Sequence, residues 1–263
     1  MAQRIRARVF GEVADEYERV RPGYPPALVD DVLAYAGPAG RPALEVGAGT
    51  GKATVAFAGR GVPVTALEPD PAMAAVLARR TGGVPGVSVV PCAFEAYRPD
   101  RRYGLLYSAQ AWHWTDPVRR WRLAAEALAP GGALALFWNG DAFADPALAA
   151  AVAAAHEPFA ADLPERVDTC LGPRDDWPAD ELAACPDFGD LDRRAYPWER
   201  ELPAADYLAL LGTQSAYRML AGPVRRRLFG AVGALLGERV VLSLRTELYL
   251  ARRRDQTCDL QVT

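Results

Sequence analysis

The sequence predicts an α/β fold built on a doubly wound parallel sheet, and three observations lead to this prediction. Short apolar runs of strand length recur between residues 42 and 138. Segments of helical pattern separate these runs, and strands that alternate with helices are typical of βαβ units. The first run ends in a glycine-rich turn just before a helix, which is where such units bind nucleotides.

Five strands and three helices account for this part of the chain. The predicted strands are Pro42–Val46, Val64–Glu68, Val87–Val90, Tyr103–Ser108 and Ala133–Trp138. The predicted helices are Thr50–Ala58, Pro71–Arg80 and Pro117–Leu128. Asp70 is a natural N-cap for the second helix, because its carboxylate can accept hydrogen bonds from first-turn amides. The run Pro130-Gly131-Gly132 is expected to end the third helix after Ala129 and to lead into the fifth strand.

The flanking segments are less regular. They contain predicted helices at Pro26–Tyr35, Pro203–Leu211 and Pro223–Leu236 and predicted strands at Arg193–Glu199 and Val240–Arg252. We predict one domain in four parts: an N-terminal helical cap (1–36), a cofactor-binding core (37–140), a completion of the sheet with helical lid insertions (141–252) and a polar tail (253–263).

Composition excludes several classes of protein. The chain has 263 residues, 51% of them hydrophobic, which is enough for one large core. Its 30 basic and 33 acidic residues form no basic stripe, so we expect no nucleic-acid partner. Four scattered cysteines, Cys92, Cys170, Cys185 and Cys258, predict neither a metal site nor disulfides. With no signal peptide and no membrane-spanning run, a cytoplasmic location is expected.

The glycine turn, Glu45-Val-Gly-Ala-Gly-Thr-Gly51, differs from a dinucleotide loop. The third glycine comes one residue early, and Glu45 suits an ammonium or sulfonium better than a pyrophosphate. A Walker loop cannot be placed on these residues. Glu68 lies 21 residues beyond Gly47, where a carboxylate can bind the hydroxyls of an adenosine ribose. An NAD(P)-linked or regulatory nucleotide-binding module remains an alternative on these residues alone.

Further motifs follow the glycine turn in a fixed order. They are Ala66-Leu-Glu-Pro-Asp-Pro-Ala-Met73, Cys92-Ala-Phe-Glu-Ala-Tyr97, Ser108-Ala-Gln-Ala-Trp-His-Trp114 and Ala129-Pro-Gly-Gly-Ala133. In these motifs the chain resembles the class I S-adenosylmethionine-dependent methyltransferases, particularly the ubiquinone/menaquinone- and trans-aconitate-type branch. The resemblance implies a seven-stranded Rossmann-like sheet, mostly parallel with an antiparallel last strand, plus a helical lid. It also implies S-adenosylmethionine as the cofactor.

The resemblance implies roles for individual positions. The cofactor-binding residues would be Tyr17, Arg21, Glu45, Gly47, Ala48, Gly49, Thr50, Gly51, Glu68, Pro69, Met73, Ala93, Phe94, Glu95 and Ser108. Tyr17, Arg21 and Tyr24 are similar to an N-terminal Y-x-x-x-R-P-x-Y-P segment that folds over the cofactor in this branch. Cys92 departs from the family pattern of glycine or aspartate, which shifts weight for adenine binding to Phe94 and Glu95.

The acceptor site is expected at the carboxyl edge of the sheet and beneath the lid. Its predicted residues are Tyr24, Gln110, Trp112, Trp138, Asn139, Tyr207 and Arg218. His113 is the candidate general base, with a scaffold role as the alternative. His156 is expected at the surface. Arg21 or Arg218 could pair with an anionic acceptor.

The leading functional hypothesis is methyl transfer to a small molecule, O-directed (to a carboxylate or hydroxyl) and in secondary metabolism. The alternative is a cyclase-like enzyme on the same fold that retains the cofactor without methylating. The expected partner is a small-molecule acceptor, with no membrane association, and the chain is expected to be a monomer or homodimer.

Overall fold

A computed structural model describes residues 9–37, 41–163 and 177–255, and these form a seven-stranded sheet between helices. The strands are β1 (Ala43–Val46), β2 (Val64–Leu67), β3 (Val87–Val90), β4 (Tyr103–Ala109), β5 (Leu128–Phe143), β6 (Phe188–Pro203) and β7 (Arg239–Arg253). Their order in the sheet is β3-β2-β1-β4-β5-β7-β6. The first five strands are parallel, and β7 is antiparallel to both β5 and β6. The predicted fold class is confirmed.

Ten α-helices accompany the strands within the described residues. They are α1 (Ala14–Val20), α2 (Pro26–Ala36), α3 (Lys52–Ala58), α4 (Pro71–Thr81), α5 (Arg120–Ala127), α6 (Pro146–His156), α7 (Ala179–Ala184), α8 (Ala204–Gly212), α9 (Ser215–Met219) and α10 (Gly222–Gly233). Asp70 caps α4 as predicted, accepting hydrogen bonds from the amides of Ala72 and Met73 at 2.9 and 3.1 Å.

Two helices begin later than the sequence predicts. α3 begins at Lys52 rather than Thr50, because Gly51 has a φ of 88° and cannot belong to a helix. α5 begins at Arg120 rather than Pro117, because the residues before it form a turn in which the Asp116 carboxylate accepts from a backbone amide at 2.9 Å.

Strands β5 and β6 are longer than the predicted Ala133–Trp138 and Arg193–Glu199, and both predictions of length were wrong. Both strands pair with β7 over most of their length, and in β5 this pairing continues to Phe143. Antiparallel pairing provides hydrogen bonds for the backbone of polar residues, so these residues can belong to a strand. A prediction based on apolar runs assigns the same residues to loops.

The side chains of β5 alternate between two apolar cores. Phe137 faces the core that contains α2 and α3, whereas Trp138 faces the core that contains α5 and α7. Because the side-chain period of a strand is two, Asn139 and Asp141 continue the Phe137 face. This face bears the residues of the glycine turn and of the N-terminal segment.

The N-terminal segment crosses the carboxyl edge of the sheet. α1 lies against α4 and α8 and thereby connects the glycine-turn side of the molecule with its C-terminal helices. β7 extends to Arg253, one residue into the predicted tail. Most of that tail, and residues 1–8 of the predicted cap, lie outside the described residues. The four-part division of the domain stays a prediction.

The described residues also bear on what the sequence predicts about membrane spans, cysteines and metal sites. Among their helices, none has the length and apolar character needed to cross a membrane. Cys92 and Cys185 are free thiols, whereas Cys170 and Cys258 lie outside the described residues. The part of the chain that the structure describes contains no group of three acidic, histidine or cysteine side chains placed to hold a metal ion.

Candidate active site

The three glycines of the turn between β1 and α3 all adopt left-handed backbone conformations. Gly47, Gly49 and Gly51 have φ values of 70°, 59° and 88°. A Cβ atom on Gly47 would also collide with Ala111, and one on Gly51 would collide with Leu77 of α4. The shape of the turn therefore requires glycine at these alternate positions.

Glu45 lies on β1 beneath this turn and is fully buried. Its Oε2 accepts hydrogen bonds from Thr54 Oγ1 at 2.5 Å and from the Tyr107 hydroxyl at 3.0 Å. Its Oε1 has no hydrogen-bond partner among the described residues. Burial raises the pKa of Glu45 to about 8, although both hydrogen bonds oppose the shift. A buried acceptor without a donor is unfavourable, and a cationic ligand group would satisfy it.

Glu68 follows β2 and holds the other side of the turn. Its Oε2 accepts from the Gly49 amide at 2.7 Å and its Oε1 accepts from the Asp70 amide at 2.8 Å. Burial raises the pKa of Glu68 to about 7, although the two amides oppose the shift. Each carboxylate oxygen has two lone pairs, so Glu68 can still accept from a ribose hydroxyl.

A cavity of about 40 Å³ lies between the glycine turn and the N-terminal segment. Its lining consists of Tyr17, Arg21, Pro22, Tyr24, Glu45, Gly47, Ala48, Gly49, Thr50, Lys52, Ala53, Ala109 and Gln110. The structure thus brings most of the predicted methionine-end residues together with the predicted N-terminal segment. A larger cavity of about 530 Å³ lies beside α5, is rich in arginine and contains no residue of the turn.

Glu18 joins the N-terminal segment to the turn, a role that the sequence did not predict. Its carboxylate accepts from Thr50 Oγ1 at 2.5 Å and forms ion pairs with Lys52 at 3.3 Å and Arg80 at 3.2 Å. Lys52 Nζ also donates to the Glu18 carbonyl at 2.6 Å. Lys52, the one lysine of the chain, directly follows the third glycine and could have indicated an acidic partner near the turn.

Apolar side chains of the N-terminal segment cover the α4 side of the site. Tyr17 and Phe10 pack in a cluster with Met73. The ring of Phe10 lies 6.1 Å from that of Tyr17 and 5.9 Å from that of Trp114, between centroids. Met73 and Tyr17 were predicted near the cofactor, whereas Phe10 was not, because a lone apolar residue near a terminus carries no motif.

Several predicted binding residues make contacts within the protein or lie away from the turn cavity. Ser108 is buried and its hydroxyl donates to a carbonyl of β1 at 2.8 Å. Phe94 and Trp112 pack on each other in the core, with ring centroids 5.8 Å apart. Glu95 accepts from a backbone amide of the turn before α5 at 2.7 Å. Gly51, Glu68, Pro69, Met73 and Ala93 also lie outside the lining of the turn cavity.

His113 lies at the surface, and its ring is held by Trp138. The Trp138 indole donates to His113 Nδ1 at 3.3 Å. Since an accepting nitrogen carries no proton, the neutral ring has its proton on Nε2, and this arrangement favours the scaffold role over the base role. Trp138 also packs on Trp177 and Tyr249, on the face of β5 opposite Asp141.

Asn139 and Gln110 anchor the N-terminal segment to the sheet. Asn139 donates to the Gly23 carbonyl at 3.0 Å and accepts from Thr246 Oγ1 at 2.6 Å. Gln110 has a φ of 60°, and its side chain donates to the Asn139 carbonyl at 3.3 Å. Such a backbone conformation is strained for a residue other than glycine, and it places Gln110 in the cavity lining.

Residues of the predicted lid lie near the same edge of the sheet. Tyr207 packs on Phe143 of β5, with ring centroids 4.8 Å apart. Arg218 forms an ion pair with Glu12 of the N-terminal segment. The expectation for His156 was wrong: it is half-buried, and its Nε2 lies 2.8 Å from the Tyr217 hydroxyl.

The residues at the turn fit S-adenosylmethionine. The unsatisfied oxygen of Glu45 suits an ammonium group, and Glu68 has capacity for a ribose hydroxyl. The glycine turn lets backbone approach a ligand without Cβ atoms in between.

Comparisons with known proteins agree with this assignment. Residues 44–136 match the model of a methyltransferase domain. Uncharacterized methyltransferases of Mycobacterium bovis and Mycobacterium tuberculosis are 42% identical over 130 residues, which cover 49% of this chain and 51% of theirs. The match therefore spans about half the length of these curated relatives.

Solved structures extend the similarity to most of the fold. A candidate type II methyltransferase from Anaeromyxobacter dehalogenans superposes with a TM-score of 0.65 at 28% identity, over 89% of this chain and 97% of that one. A phosphoethanolamine N-methyltransferase of Haemonchus contortus shares the fold, with a TM-score of 0.52 at 14% identity, over 93% of this chain and 58% of that one. Residues 44–136 therefore resemble a methyltransferase domain, and solved methyltransferases share the fold around them.

Proposed function

We propose that the chain transfers a methyl group from S-adenosylmethionine to an oxygen of a small molecule, either a hydroxyl or a carboxylate. The observation that carries this proposal is the buried, unsatisfied Oε1 of Glu45 beneath a glycine turn that Glu68 holds from its other side. Membership of the ubiquinone/menaquinone- or trans-aconitate-type branch and a role in secondary metabolism belong to the same proposal.

The protein's own contribution would be to bind, align and exclude water. The cofactor, when bound, supplies a methyl carbon made electrophilic by a sulfonium. Glu45 and Glu68 would hold its ammonium and ribose ends, and Tyr17, Arg21 and Tyr24 would cover it. Methyl transfer depends chiefly on in-line alignment in a site without water, which such a cover provides.

The proposed partner is the small-molecule acceptor alone. A balance of 30 basic and 33 acidic residues gives no support for a nucleic-acid substrate. We further propose a cytoplasmic monomer or homodimer without a membrane partner. His113 would brace the turn after β4 through Trp138.

A direct test combines binding and turnover. Calorimetry should detect S-adenosylmethionine and S-adenosylhomocysteine, and not NAD. Incubation with small alcohols, phenols and carboxylic acids should release S-adenosylhomocysteine and give products heavier by one methylene unit in mass spectrometry. A product of unchanged methyl content, formed only when the cofactor is present and left intact, would instead identify the cyclase-like alternative.

A further inference from the structure

Asp141 is a carboxylate near the cofactor site that none of the contacts above uses. It lies two residues beyond Asn139 in β5, on the face that bears the glycine turn and the N-terminal segment. Burial raises the pKa of Asp141 to about 6, against the lowering effect of Arg21. The residue is nevertheless only partly buried. β4 pairs with β5 as far as Phe137, so Asp141 lies beyond the carboxyl edge of the parallel strands, where ligands bind in such folds.

The charged and titratable groups around Asp141 come from three elements. Arg21 belongs to the N-terminal segment and also lines the turn cavity. Tyr207 of α8 and Tyr217 of α9 are buried. Burial is the main cause that raises the pKa of each hydroxyl, and the charge of Asp141 raises both further. The charge of Asp141 is thus within reach of Arg21 in the lining of the turn cavity and of two tyrosines on the lid helices.

Two of the donors near Asp141 bond to other groups. His156 Nδ1 donates to the Val152 carbonyl at 2.7 Å, so its Nε2 accepts from the Tyr217 hydroxyl at 2.8 Å. Arg21 Nε donates to Thr213 Oγ1 at 2.8 Å. Within the described ranges, the Asp141 carboxylate itself has neither a hydrogen bond nor an ion pair.

We propose that Asp141 is the general base of the reaction and that the acceptor is a hydroxyl compound rather than a carboxylate. This inference rests on the proposed methyl transfer. An unpaired carboxylate at the acceptor side of the cofactor attracts an O–H donor and repels a second carboxylate. Arg218, which could have paired with an anionic acceptor, is bound to Glu12.

Asp141 takes the proton of the acceptor hydroxyl as the acceptor oxygen forms its new bond to the methyl carbon. The bond between that carbon and the donor sulfur breaks, and its electron pair stays on sulfur. The products are a methyl ether, S-adenosylhomocysteine and a protonated Asp141, which then releases its proton to water.

The first experiment uses the full-length protein and phenols of different acidity. Asp141→Asn should lower kcat with unsubstituted phenol by about 10²- to 10³-fold. The deficit should shrink with 4-nitrophenol, which needs little help to lose its proton. The wild-type rate should fall below about pH 6 as Asp141 is protonated, and the variant should lack this fall. Asp145→Asn, an exposed N-cap of α6, is the matched control and should retain wild-type rates.

A second experiment tests the class of acceptor without turnover. In the presence of S-adenosylhomocysteine, the wild type should bind phenol at least about tenfold more tightly than benzoate by calorimetry. Asp141→Asn should remove most of this difference.

Distinct outcomes overturn distinct claims. Equal loss of rate with all phenols, or unchanged kcat in Asp141→Asn, would exclude the base role. Tighter binding of benzoate by the wild type would exclude the hydroxyl class. Failure of the wild type to bind S-adenosylmethionine would instead contradict the proposed function itself.

Discussion

Glu45 and Glu68 are two carboxyl groups under one glycine turn, and both have a raised pKa in the protein without ligand. Burial is the main reason that the pKa of Glu45 rises to about 8 and that of Glu68 to about 7. At neutral pH a large fraction of Glu45 is therefore protonated. A cation bound at its Oε1 would favour the charged form, so that binding and proton release are coupled.

We predict that S-adenosylmethionine binding releases protons at pH 7 and strengthens as the pH rises from 6 towards 8. Calorimetry in two buffers of different ionisation enthalpy measures the proton count. Glu45→Gln should reduce that count and weaken binding by about 10- to 100-fold, the value of one charge-assisted hydrogen bond. A proton count that is the same in wild type and Glu45→Gln would show that Glu45 does not meet the cationic group.

The raised pKa of Glu45 also makes the free energy of unfolding depend on pH. The folded-state pKa of Glu45, about 8, exceeds its ordinary value of 4.5, so the folded state binds the proton more tightly than the unfolded state. The free energy of unfolding should therefore fall as the pH rises from about 4.5 to about 8. Glu45→Gln should flatten this dependence in denaturant titrations, and an unchanged slope would contradict the assigned shift.

Glu68 has a structural duty besides its proposed ribose contact. Glu68→Ala removes the acceptor for the Gly49 and Asp70 amides and should destabilise the fold by about 1–3 kcal/mol. For a chain of this size the melting temperature would fall by about 2–4 °C per kcal/mol. Glu68→Gln keeps acceptor oxygen and is the matched comparison. Thermal melting without ligand separates this effect from cofactor affinity.

At the scale of elements, α1 is the part of the molecule that governs access to the turn. The turn cavity of about 40 Å³ is far smaller than the roughly 300 Å³ or more of a pocket that holds a ligand of cofactor size. A nucleoside cofactor can enter only if α1 moves away from the turn. Glu18, with its contacts to Thr50, Lys52 and Arg80, holds α1 in place.

We predict that Glu18→Ala accelerates both association and dissociation of S-adenosylhomocysteine by about tenfold, which corresponds to about 1.4 kcal/mol. The reason is that these contacts must break for the ligand to enter or leave. Stopped-flow fluorescence measures both rates. Glu16→Ala is the control, because Glu16 lies on the same helix and its ion-pair partner among the described residues is Arg19, across 3.9 Å. Equal rates in the two variants would mean that α1 does not limit access.

At the scale of the whole molecule, β7 joins the nucleotide-binding part to the C-terminal part. It lies between β5 and β6 and pairs with both over long stretches. Without it, β5 would be an apolar edge strand with unpaired backbone groups. The helices that flank Asp141 also depend on this pairing for their position.

We therefore predict that a fragment ending at Leu163, which retains β1 to β5 and lacks β6 and β7, aggregates instead of folding. Size-exclusion chromatography and circular dichroism test this outcome against the full chain. A monomeric fragment with cooperative thermal unfolding would show that β7 is dispensable for the core.

The sequence predicted the elements of the motif-bearing half of the molecule well. In the C-terminal half, the predicted helices Pro203–Leu211 and Pro223–Leu236 correspond to α8 and α10, whereas the bounds of α6, α7 and α9 were not predicted. The left-handed turn at Gly47–Gly51 and the cap at Asp70 were recognisable because each depends on a few consecutive residues. The burial of Ser108 and Trp112 was not predictable from the sequence, because burial is decided by packing across the sheet. Glu18 and Asp141 were missed because their partners lie 32 or more residues away in the chain or on other elements.

The sequence alone predicted the fold class, because strand periodicity and a glycine turn are local properties of the chain, and its resemblance to a methyltransferase family predicted the cofactor. The tertiary structure alone decided which carboxylate oxygens lack a hydrogen-bond partner among the described residues. Glu45 and Asp141 look like any other acids in the sequence. Only the folded chain buries one under the turn and places the other beyond the carboxyl edge of the parallel strands, since desolvation and hydrogen bonding arise from residues distant in sequence.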